Sequence, residues 1–105
     1  MACYVTKDPD DTWHADIDWS DWFADQVATH GGTFTVTLSA WATDVAITQE
    51  GSNLNDDTKI MSFYGSGGVV DTNYDLENQI SYTSTTLSGI TFTETRTMEV
   101  RIINK

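Results

Sequence analysis

Residues 16–25, "DIDWSDWFAD", place four aspartates, two tryptophans and a phenylalanine in ten positions. Carboxylates at that density could hold a metal ion, share a proton in hydrolysis or steer a basic partner. Indole rings could stack on a sugar, anchor a protein contact or simply fill a core. Each chemistry demands its own spacing. A calcium loop needs ligands at alternate positions, a central glycine and a closing bidentate glutamate. "DPDD" at 8–11 shares only the acidity of such a loop. His14 and His30 fall in different elements, with no Cys or Glu at ligand spacing beside either, so no metal site is expected.

Hydrolytic chemistry fares no better. Glycoside cleavage requires two carboxyl groups fixed across a cleft, one with a raised pKa. Asp16 and Asp18 share one face of a strand pattern, where both stay ionised and repel. No serine lies in a G-x-S-x-G context, and "GSGG" at 65–68 lacks the lysine and the following helix of a phosphate loop. No catalytic residue and no cofactor are expected. This reads as a non-enzyme.

Composition narrows the partners. The 105 residues carry sixteen acidic and five basic side chains, a formal net charge of −11. Phosphate backbones are bound by Lys and Arg, so nucleic acid is excluded as a direct partner, and an anionic membrane surface is disfavoured on the same ground. No apolar run approaches the length of a membrane span, and no cationic stretch precedes an apolar one as in a signal peptide. Cys3 is the only cysteine and cannot close an intrachain disulfide, so nothing indicates an oxidising compartment.

The elements that must position these residues are strands. Threonine and β-branched residues recur along the chain, and the one proline is Pro9. "TWHADIDW" alternates with period two, placing Trp13, Ala15, Ile17 and Trp19 on one face and His14, Asp16 and Asp18 on the other. "SDWFAD" then reads as a single helical turn capped by Ser20, a corner that ends the strand. "GGTFTVTLSAW" alternates again, with Phe34, Val36 and Leu38 inward. "DVAITQ" is a short strand, "GSNLNDD" a polar loop, and "KIMSFYG" a strand whose buried face the pattern leaves open. "YDLENQISY" puts Tyr74, Leu76, Asn78, Ile80 and Tyr82 together, and the last strand turns Met98, Val100 and Ile102 inward. About seven short strands with turn signals every ten or so residues indicate an all-β fold, a small antiparallel β-sandwich forming one domain over 12–105. Residues 1–11 are expected to form an N-terminal arm or edge segment, because Pro9 cannot donate to a ladder and the aspartates around it repel.

Within this frame Trp13 and Trp19 belong to the core with Ile17. Trp22 in the corner either closes the end of the sandwich or docks a partner. With Phe23 as second anchor and Asp21 and Asp25 on the rim, the corner is the candidate docking surface.

The stretch "KDPDDTWHADIDWSDWF" also resembles a family of short tailed-phage virion proteins, the fibre–tail adaptor or neck proteins. They carry a Lys-Asp-Pro start, an acidic spacer and Asp-Trp-Ser-x-Trp followed by an apolar residue. The resemblance rests on Lys7, Asp8, Pro9, Asp16, Asp18, Trp19, Ser20, Trp22 and Phe23. Towards the C-terminus it rests on Tyr74, Asn78, Gly89, Glu94, Arg96, Val100 and Arg101, while residues 27–73 depart from the pattern. It implies an immunoglobulin-like domain in a structural virion protein that joins or decorates neck or tail components. Its partners would then be other virion proteins (neck, tail, fibre or capsid), met in multiple copies of a symmetric assembly. Lys7, Asp8 and Pro9 would mark the arm, and assembly would take place in the host bacterial cytoplasm. The alternatives are a capsid decoration protein and a carbohydrate-binding sandwich module, the latter recognisable by a coplanar pair of exposed tryptophans.

Overall fold

Alternation of apolar and polar side chains builds two sheets, and one helix interrupts them. A computed structural model describes residues 4–7, of which the backbone alone, and residues 12–103. The elements are β1 (Tyr4–Lys7), β2 (Trp13–Asp18), α1 (Ser20–His30), β3 (Phe34–Thr43), β4 (Ile47–Asn55), β5 (Ile60–Gly67), β6 (Thr72–Ser84) and β7 (Phe92–Ile102). Strands β1-β7-β6-β3 form a four-stranded sheet and β2-β5-β4 a three-stranded one, facing each other as a small sandwich. All neighbours are antiparallel except β1 and β7, which run parallel from Tyr4↔Glu99 to Lys7↔Ile102. The pair spans nearly the whole chain, so the long crossover that parallel strands require is available. Asp8 and Pro9 of the expected arm lie outside the described residues, and Lys7 is the last residue of β1.

The inner faces meet where the period-two patterns place them. Trp13, Ala15 and Ile17 alternate with exposed residues along β2, and Tyr74, Leu76, Asn78, Ile80 and Tyr82 are all buried on β6. Phe34, Val36, Met98, Val100 and Ile102 complete the same core. The undecided strand β5 buries Met61, Phe63 and Gly65. Gly65 faces inward because no side chain fits there. A Cβ would sit 2.5 Å from Phe63 Cε1 and 3.0 Å from Trp13 Cη2.

Three local expectations are corrected. Leu38 is not in the core but 55% exposed. The β3–β6 register shifts between Val36 and Leu38, and this bulge reverses the alternation beyond it. Phe34 and Val36 point in before the bulge. After it, Ser39, Trp41 and Thr43 share the inner side and Leu38 turns outward. Residues 51–55 are not loop but the second half of β4, reached through a bulge between Gln49 and Gly51. Pairing with β5 and the half-burial of Leu54 outweigh the weak strand preference of "GSNLN". Finally, α1 runs 11 residues, about three turns rather than one. Its buried Phe23 fixes it to the sheets, and Gly31, at φ 71°, ends it with an N–H donated to Val27 O.

Candidate functional site

The strand-to-helix corner is built around Trp19, which is wholly buried. Its indole Nε1–H donates to Asn78 Oδ1 at 2.9 Å. Asn78, also wholly buried on β6, donates through Nδ2 to Ser39 Oγ at 2.9 Å and Ala40 O at 3.1 Å. One amide thus ties the corner to β6 and β3. Arg96 on β7 stacks its guanidinium 4.6 Å from the Trp19 ring centroid while Nη1 donates to Asp18 O at 2.8 Å. Asp18 Oδ1 in turn accepts the Ser20 N–H at 2.8 Å, satisfying one of the free donors that open α1. The hydrogen bonds from Ser20, side chain and backbone, hold the Asp18 carboxyl below its ordinary value, and Arg96 adds to that.

A second cation closes the same end. Lys59, in a left-handed turn conformation, donates through Nζ to Phe34 O at 3.0 Å and to Asp56 O and Oδ1 at 2.7 and 2.6 Å. It also sits 5.5 Å from the Phe23 ring. Burial pushes the Asp56 carboxyl up, but the bonds from Lys59 and the Val36 N–H hold it below its ordinary value.

These contacts sort the candidate docking residues. Phe23 is withdrawn from the surface. It is 3% exposed, with its ring 5.3 Å from Tyr82 and 5.9 Å from Phe34, because the helix turns position 23 onto the sandwich. Trp22 is half-buried, edge-on to Trp19, Phe23 and Tyr82 at 5.7, 4.9 and 5.3 Å. It therefore covers the corner and still shows part of its ring. Asp21 and Asp25, one turn apart on α1, are exposed. Asp21 also faces a cleft of about 260 Å³ lined by Asp16, Ile17, Asp18, Arg96, Thr97 and Met98. The cleft lies between the Arg96–Met98 stretch of β7 and β2, and among the described residues β1 pairs with Glu99–Ile102.

Chemically the cleft is a charged surface. A general acid needs a raised pKa, and Asp18 is shifted the other way. Among the described residues no group of three or more His, Cys, Asp or Glu is placed to hold a metal ion. Of the four tryptophans two are buried and two half-buried, so no exposed coplanar pair offers a sugar platform. Sequence reasoning did not foresee the joint role of Asn78 and Arg96. The available signal was Asn78 itself, one amide in the middle of an otherwise apolar strand face.

A family model described as "Podophage GP4 fiber-tail adaptor protein gp77" matches residues 7–102. No curated protein and no solved structure matches the chain.

Proposed function

Since the chain belongs to the podophage GP4 fibre-tail adaptor family, we propose that it is a non-enzymatic virion component that joins fibre and tail proteins by surface contact. The family match over 7–102 is the observation that carries this reading, and the corner supplies its means. Asp21 and Asp25 flank the partly open Trp22 along α1, the arrangement of an anchor with a charged rim, and Asp16 lines the cleft with Asp21. The receiving surface is basic, because a chain of net charge −11 docks fastest on Lys and Arg. The edge strand β1 offers its open side to a neighbouring virion protein, and assembly takes place in the host cytoplasm with several copies per particle.

The test complements a deletion of the gene with variants and counts copies per particle by quantitative mass spectrometry. Asp21→Asn with Asp25→Asn lowers incorporation and flattens its salt dependence, with association slowed roughly tenfold at low salt. Trp22→Ala lowers incorporation while the circular dichroism stays that of the wild type. Full incorporation of both folded variants rules out this flank as the joint.

A further inference from the structure

The carboxylates of this chain leave one patch of a sheet face bare. On the outward side of the four-stranded sheet, the register aligns Leu38 with Ser81 and Thr93, and Ala40 with Gln79 and Thr95. These six side chains lie behind the aromatic end of the core, are exposed or half-exposed, and carry no charge. Charge returns in the next row, where Glu77 stands between Ala42 and Thr97. At the head of the uncharged patch Leu38 stands more than half exposed, turned outward by the bulge. Depletion of charge around an apolar contact is the compositional mark of an interface centre.

We infer that this patch is a self-association face whose occupant is the same patch of a second copy of the chain. The argument is one of charge. A basic partner is recognised by carboxylates, such as those of the cleft and α1 flank, and this patch has none. A surface without them suits a partner carrying the same −11, because two copies can meet there without opposing carboxylates. The contact is face to face rather than edge to edge. Strand β3 is the free edge of its sheet, but the bulge at Val36/Leu38 breaks the regular ladder that edge pairing needs. A two-fold axis between the Leu38 side chains makes the patch self-complementary. The inference goes beyond the adaptor reading and does not depend on it.

Self-association through this patch is opposed by the repulsion of the two net charges, so it strengthens as salt rises. Docking on a basic surface weakens under the same change. Analytical ultracentrifugation of the full chain, at ionic strengths below and above the physiological ~0.15 M, reads this directly. The expected result is a monomer–dimer equilibrium that shifts toward dimer with salt. Leu38→Glu and, separately, Thr95→Glu then weaken it on the order of tenfold or more by placing like charges across the axis. Both positions are exposed, so each variant keeps the wild-type melting temperature. Asp21→Asn with Asp25→Asn leaves the dimer in place while altering particle incorporation, which separates this face from the docking flank. A chain that stays monomeric at every concentration and salt overturns the inference. So does a dimer that dissociates with salt, or one indifferent to both glutamate variants.

Discussion

Two tryptophan sites hold the sandwich together on opposite terms. Trp19 is buried with its N–H bonded to Asn78 and a guanidinium over its ring. Trp13 and Trp41 flank Phe63, with centroids 5.7 and 5.4 Å away. Their indole Nε1 atoms are buried with no hydrogen-bond partner among the described residues. The first site is specified by direction, the second by volume. The difference follows from position. At Trp19 the chain leaves a strand and enters a helix, and the turn must be fixed in angle, which a hydrogen bond does and a packed ring alone does not. Between Trp13 and Trp41 the strands are already registered by their ladders, and filling space is enough.

This contrast can be broken by experiment. Trp19→Ala has the largest expected effect, a loss of about 3–5 kcal/mol in urea unfolding, because a cavity opens and the Asn78 amide loses its donor. Asn78→Leu follows at about 2–3 kcal/mol, since it strands the buried Trp19 N–H without an acceptor. A double-mutant cycle of Trp19→Phe with Asn78→Leu should return a coupling of about 0.5–3 kcal/mol. Additivity there would dissolve the lock. Asp18→Ala comes next, costing about 1 kcal/mol through the lost hydrogen bond to the Ser20 N–H, with Asp18→Asn milder because an amide oxygen still accepts. Trp41→Phe should be the smallest, within about 1 kcal/mol of wild type, since it removes volume together with an unpaired donor. Equal losses for Trp19→Phe and Trp41→Phe would erase the distinction between the two sites.

The pH dependence sharpens the same contrast. Asp18 and Asp56, at the helix end, both have carboxyl pKa values below their ordinary 3.8 in the fold. A depressed value means the folded state holds its proton less tightly than the unfolded chain. The stability these groups add is therefore fully present above the ordinary value and is lost as pH falls through the lower folded ones. Acid unfolding followed by tryptophan fluorescence should thus set in below about pH 4. Asp18→Asn and Asp56→Asn should each flatten that limb.

Much of this architecture was legible because alternation is a strong signal where one face is wet and the other dry. The buried faces of β2, β6 and β7 were read directly from the chain. Leu38 was misplaced because a bulge carries no letter of its own: "FTVTLSAW" alternates as well in either frame, and the register is set by β6. The length of α1 was missed for a related reason. "ADQVATH" is a weak helix in isolation and persists because Phe23 is seated in the core. The same seating withdraws Phe23 from the exposed surface of the corner. Five of the sixteen residues named for the resemblance, Asp18, Trp19, Ser20, Asn78 and Arg96, are joined in space although 78 positions separate Asp18 from Arg96. These residues form the lock that shapes the corner, while Asp21 and Asp25 lie outside it and are exposed.

The parallel pairing of β1 with β7 has a mechanical consequence. The two strands lie side by side from Tyr4↔Glu99 to Lys7↔Ile102 and point the same way. Tension that pulls β1 backward at its start and β7 forward at its end runs along both strands. Their ladder is then loaded in shear, with its bonds sharing the load. Pulling an antiparallel hairpin apart from its open end instead ruptures the bonds one after another, at lower force. A chain that links a fibre to a tail through segments flanking β1 and β7 would meet that tension in its stronger direction. Single-molecule extension from the two ends should show one high-force rupture, and a stepwise low-force unzipping would contradict it.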